Sequence, residues 1–211
     1  METLKRAEDV QQPDARSDSY VRLDTGRPVT FQDRYSAIAT VRLNPGAPED
    51  VRSYFATIQN LCVYAWFAYD FYALVVFLSY TLIEMALRLR FAITGKDTRT
   101  LQNLLEEAIK RNSIQEKAFS HMRRIRQQRA LSLRLERQIR KMPRSSVPKS
   151  DYPKVLLQTL PKLRNAFAHP RMHAIYLPGD ALFALRFAAD FVNQLFSPPN
   201  SDERDQRRTP C

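Results

Sequence analysis

The stretch Leu61-Cys-Val-Tyr-Ala-Trp-Phe-Ala-Tyr-Asp70-Phe-Tyr-Ala-Leu-Val-Val-Phe-Leu-Ser-Tyr-Thr-Leu-Ile83 decides the fold. It holds a single charge, Asp70, in 23 residues, which by length and hydropathy alone suits a membrane span. Two features argue for a different reading. Asp70 falls near the middle, where a carboxylate is costly in lipid. The aromatic residues Tyr64, Trp66, Tyr69, Tyr72 and Tyr80 scatter along the run instead of forming belts at its two ends. A turn at Tyr69-Asp70, with Asp70 capping a second helix, converts the span into two antiparallel core helices buried nearly all round. The expectation is therefore a protein that inserts in no membrane.

Working outward, long apolar-periodic runs and only four glycines predict an all-α protein of 211 residues. Asn44-Pro-Gly-Ala-Pro48 breaks the chain, and Pro48-Glu-Asp50 reads as a first helical turn with its acids at the favoured end of the helix dipole. Helix is expected from Val51 to about Ile93, ending at Gly95-Lys-Asp97. A further helix is expected from Leu101 to about Lys110, capped by Thr98 or Thr100. Tyr152 to Ala168 reads as helix, with Pro161 kinking it or starting its final turns. A last helix runs from about Asp180 to Phe196. Residues 1–47 read as a partly irregular extension in which Tyr20–Leu23 and Ala37–Val41 form short strands, with Thr25-Gly-Arg-Pro28 a turn. Residues 197–211 read as a disordered polar tail.

Charge is concentrated. Residues 111–150 carry twelve bases and two acids, nearly all of the net +11 of the chain. That block reads as a basic helix or helix pair. Ile114, Ala118, Met122 and Ile125 start its apolar stripe, and Arg123, Arg126, Arg134, Arg137 and Lys141 fall on the opposite side. Such a run is more often a solvated face than a binding site, yet the excess exceeds what solubility needs and suits an RNA backbone. His121, among these arginines, is read as an aid to RNA binding and not as a catalytic group. Two cysteines, Cys62 and Cys211, form no framework and no metal-ligand cluster, which suits a reducing cytosol. The first residues lack the apolar segment of a secretory signal.

The chemistry concentrates in Leu163-Arg-Asn-Ala-Phe-Ala-His169-Pro170. Arg164 stands five residues before His169, about one and a third helical turns, and Pro170 stops the helix. A guanidinium holds a phosphate through two parallel hydrogen bonds, and an imidazole moves protons near neutral pH. Spacing alone favours a capping histidine and a surface ion pair. Glu84, four residues before Arg88, admits two readings. One is an i,i+4 ion pair; the other is a carboxylate that orients Arg164 or His169.

The Arg-x4-His spacing, the Asn165 after the Arg, the small spacer residues and the helix-breaking Pro170 resemble the HEPN superfamily. So does the upstream run ending Leu82-Ile-Glu84-Met-Ala-Leu-Arg88. The resemblance covers roughly residues 50–94 and 152–196 and implies a HEPN-like helical domain over 48–196, with 111–150 a basic insertion. It further implies a cytoplasmic homodimer whose two Arg–His pairs line one cleft. The activity implied is cleavage of RNA without metal or cofactor, with Arg164, Asn165, His169 and Glu84 at the site and Arg171 beside it. The known roles of such proteins are toxins, held by an antitoxin or other regulatory partner, and anti-phage effectors. A non-catalytic HEPN module that binds RNA or a protein is the alternative. Some HEPN toxins carry a tyrosine two residues after the motif histidine, where a partner nucleotidyltransferase modifies it. Here that position is Arg171, so the resemblance does not extend to that control.

Overall fold

The computed structural model describes residues 4–93, 98–122, 125, 152–168 and 175–197. Six helices organise them: α1 (Phe31–Ala39), α2 (Glu49–Tyr64), α3 (Phe71–Arg90), α4 (Leu101–Lys110), α5 (Tyr152–Ala168) and α6 (Pro178–Leu195). Short 3-10 turns lie at Ala7–Asp9, Ser17–Ser19 and Glu116–Ala118. The architecture is all-α. Helix α3 is the hub, packing on α2, α4, α5 and α6, while α1 lies on α2 and α4 lies on α5.

The apolar stretch 61–83 is not one helix. Six residues, 65–70, turn the chain between α2 and α3, so the two pack as a hairpin. Val51, Phe55, Ile58 and Cys62 of α2 and Tyr72, Val75, Leu82, Ile83 and Leu87 of α3 are buried in one core. Helix α3 by itself still passes the length and hydropathy test for a membrane span, with half of its apolar window buried inside the bundle. Asp70 does occupy the residue before α3, but its side chain caps nothing. It faces Arg16 instead, at 3.4 Å.

That contact belongs to a strap formed by the N-terminal residues. The Asp14 N–H donates to the Trp66 carbonyl at 3.0 Å, and the buried Ser17 hydroxyl donates to the same oxygen at 3.0 Å. Arg16 reaches both carboxylate oxygens of Asp14 at 2.8 Å and stacks 4.2 Å over the Tyr69 ring. The Asp14 carboxyl is held below its ordinary range chiefly by the Arg16 hydrogen bond. The hydroxyls of Tyr20 and Tyr69 also hydrogen-bond. The Trp66 carbonyl in the α2–α3 turn, which a buried turn must satisfy, is thus met twice by the strap.

Two sequence expectations fail in this region. No strand forms among the described residues; Val21 and Pro28 make one isolated bridge around a turn in which Gly26 takes φ +66°. Residues 37–41 are not a strand, because Thr30 and Asp33 form a capping box that starts α1 and carries it through Ala39. Ile38 is buried from that helix, and Thr40 ends it.

The basic block also begins differently. Asn112 takes φ +55°, Gln115 is extended, and helix resumes only at Ser120. Ala118, expected in the apolar stripe, is exposed, whereas Phe119 is fully buried. The cause lies in α6. The Gln115 N–H donates to Gln194 Oε1 at 2.7 Å, and the Ser120 N–H and hydroxyl both donate to Asp190 Oδ2 at 2.7 Å. These partners replace intrahelical bonds and cap the later helix. Residues 126–150 lie outside the described set, as do 94–97 and 198–211, so the helix-ending Gly95 and the polar tail are not described.

Other boundaries agree closely with expectation. Helix α2 opens at Glu49 after Pro48, and α4 opens after Thr100, which shares a capping box with Asn103. Helix α5 accommodates Pro161 without ending. Helix α6 starts two residues early, at Pro178, where Asp180 Oδ2 accepts the Leu177 N–H at 3.0 Å.

Candidate functional site

Glu84 lies in the second half of α3, just before the fully buried Ala86 and Leu87, and its side chain is 14 % exposed. Its two carboxylate oxygens serve two guanidiniums. Oε1 accepts from Arg88, one turn on, at 3.0 and 3.3 Å. Oε2 accepts from Arg164 Nε at 3.1 Å, across from α3 to α5. The two readings of Glu84 are thus compatible, because both contacts exist at once. Arg88 also donates to the Arg99 carbonyl at 3.3 Å, which ties the segment before α4 to the same point.

The Arg164 side chain is 34 % exposed. Its Nη1 lies 3.4 Å from Asn165 Oδ1, a long contact, and Asn165 itself is exposed. Its Nη2 has no hydrogen-bond partner among the described residues. One carboxylate between two guanidiniums leaves the group one positive charge in excess.

The structure brings together three sequence-named residues, Glu84, Arg164 and Asn165, and adds Arg88 as a fourth. His169 lies outside the described residues, as do Arg171, Arg123, Arg126, Arg134, Arg137 and Lys141. Among the described residues, no group of three or more His, Cys, Asp or Glu is placed to hold a metal ion. Cys62 is buried, and burial pushes its thiol up to about 12, far from a nucleophilic thiolate at neutral pH.

His121 occupies a second, different setting. Its Nε2 is 2.9 Å from the Tyr152 hydroxyl, and its ring packs 5.2 Å from Phe183 and 5.6 Å from Phe119. Burial lowers its pKa below the ordinary 6.5, opposed by the Asp190 carboxylate. The residue read as an aid to RNA binding is here part of an aromatic cluster that joins the residue before Met122 to the first residue of α5. Sequence reasoning missed this pairing and the polar row Asp190, Asn193 and Gln194 on α6. The signal was three polar residues inside an apolar helix, each reaching a different loop.

Comparison with protein-family models, curated proteins and solved structures finds no match.

Two outcomes follow from these contacts. Replacing Glu84 with Ala leaves two guanidiniums facing each other without a carboxylate. It should lower unfolding stability by about 1–3 kcal/mol in urea, the cost of a charged hydrogen-bond partner discounted for partial exposure. For His121, burial places the folded pKa below the unfolded value of 6.5, so its neutral-state stability is complete above that value. It should be lost as pH falls from there through the folded pKa. The urea midpoint of the native chain should therefore drop between pH 7.5 and 5.5 by more than that of His121→Gln, which keeps an acceptor for Tyr152.

Proposed function

We propose that this chain is a metal-independent endoribonuclease of the HEPN type that works as a cytoplasmic homodimer. The observation that carries the reading is the Glu84 bridge. It fixes the motif arginine against α3, while one amine of the guanidinium has no partner among the described residues. Support also comes from the order of elements. An apolar hairpin, α2 and α3, is followed by α5, which carries the motif at its C-terminal end, and by α6.

In the proposed mechanism His169 takes the proton from a ribose 2′-hydroxyl or returns one to the leaving 5′-oxygen. Arg164 binds the scissile phosphate and stabilises the extra negative charge of the transition state. The products are a 2′,3′-cyclic phosphate and a 5′-hydroxyl. DNA lacks the attacking hydroxyl, so the chemistry selects RNA. Asn165 and Glu84 position Arg164. The basic block, including Arg123, Arg126, Arg134, Arg137 and Lys141 with Arg171 nearby, supplies phosphate contacts. A toxin or defence role, with a protein antitoxin or other regulator restraining the enzyme, fits such an activity.

The proposed dimer uses the face of α3 that carries Glu84. Phe71, Leu78 and Met85 are only partly buried there, and Leu74 is 46 % exposed. These residues recur at spacings of three, four and seven along one side of the helix. A second copy placed on that side would bring two Arg164 groups towards one groove.

The Glu84–Arg164 pair also favours a second reading, because a purely structural ion pair would have the same geometry. In that case the domain binds RNA or a partner without cutting. Cleavage of RNA in EDTA separates the two. The native chain should cut, and Arg164→Ala and His169→Ala should each lower the rate at least about 100-fold without changing the particle mass in light scattering. A native chain that binds RNA with strong salt dependence and never cuts it would establish the structural reading. Independently, Leu74→Glu, at a site already half-exposed, should yield a folded monomer by light scattering and circular dichroism.

A further inference from the structure

A cleft of about 430 Å³ opens between α1 and α2, on residues the ion-pair site does not use. Its floor is apolar, formed by buried Ile38, Val41 and Phe55. Tyr35 stands on one wall, half-exposed, with Phe31 behind its ring at 6.5 Å. The Gln59 amide nitrogen donates to the carbonyls of Ile38 and Val41, at 3.2 and 3.0 Å. These two bonds fix the orientation of the amide and leave its Oε1 as the acceptor. Arg42 and Arg52 supply the rim. Arg52 is shared with Glu49, but the exposed Arg42 has no carboxylate within ion-pair reach among the described residues. The backbone beneath Arg42 is held in place, since its carbonyl accepts from Asn193 Nδ2 at 3.0 Å and the Asn44 N–H donates to Asn193 Oδ1 at 2.7 Å.

We infer that this cleft is a nucleotide site, with a base lying on Tyr35 over the apolar floor and a phosphate on Arg42. The chemistry selects that ligand over the alternatives. A flat ring with a polar edge uses the tyrosine face, the greasy floor and the oriented Gln59 acceptor together, and a phosphate answers the unmatched guanidinium. An aliphatic ligand would leave the acceptor and the charge unused, and an inorganic anion would leave the ring and floor unused. The volume lies within the range of about 300–1,000 Å³ typical of small-ligand sites. The inference does not rest on Arg164 or His169, and either can fail without the other.

The test is equilibrium binding to the full chain carrying His169→Ala, so that no RNA probe is consumed. The probes are adenosine 5′-monophosphate, ribose 5-phosphate and a short single-stranded oligoadenylate, titrated by calorimetry. Saturable binding of the mononucleotide is expected, with ribose 5-phosphate at least about tenfold weaker, because base stacking supplies that much. Tyr35→Ala and Arg42→Ala lie on the exposed rim, so both variants should fold, and each should weaken binding about tenfold or more. If the oligonucleotide binds with the same dependence on Tyr35 and Arg42, the site takes a unit of an RNA strand. If only the mononucleotide does, it takes a free nucleotide. Binding by neither probe, equal binding of ribose 5-phosphate, or indifference to both substitutions overturns the inference.

Discussion

The covering of α3 is the constraint on which the bundle depends. From Phe71 to Ile83 this helix carries no charge, and its buried side chains include Leu82, Ile83 and Leu87. Each contributes about 1.5–3 kcal/mol when taken fully out of water. No single neighbour can cover such a helix, so α2, α4, α5 and α6 all lie against it. The buried Ser79 hydroxyl is satisfied within the helix by the Val75 carbonyl at 2.7 Å. The connections follow from this demand. The strap seals the α2–α3 turn, and the polar row on α6 holds the chain between α1 and α2 and again after α4.

The site appears where that constraint relaxes. Glu84 is the first charge on α3, and it sits too deep to be hydrated fully. A carboxylate in that position must find cations, and the sequence supplies one on its own helix and one on α5. The i,i+4 order, acid before base, is the favoured one on a helix, and Arg88 lies in the last turn, where the dipole favours a cation. Arg164 is thereby positioned by the same residue that ends the apolar run. The link from core to chemistry is one side chain long.

Much of this was legible in the residues. The break at Asp70 was readable because one charge and scattered aromatics cannot be reconciled with a single span, and α2, α3 and α4 begin or end within a few residues of the expected points. Glu84 stood out as a charge in an apolar helix, and Arg164 stood out through its five-residue spacing to His169. What was illegible depended on contacts between distant segments. Whether Asp70 capped a helix or met Arg16 is decided 54 residues away. The alternation in Ala37–Val41 looked like a strand because the Thr30–Asp33 capping box was not weighed against it. The cleft between α1 and α2 was invisible for the same reason, since Tyr35, Arg42 and Gln59 converge only once α1 lies on α2.

The shared carboxylate sets opposite requirements on Arg164, and the geometry meets both. A guanidinium left alone beside an apolar helix would sample many rotamers, and binding a phosphate would cost the entropy of ordering them. Glu84 removes that cost in advance by holding Nε. Were Glu84 paired with Arg164 only, the charges would cancel and little field would remain for an anion. Arg88 prevents that cancellation. It takes the second oxygen of Glu84, so the carboxylate is divided between two cations and the cluster keeps a net positive charge. Orientation and charge are thus supplied by different neighbours.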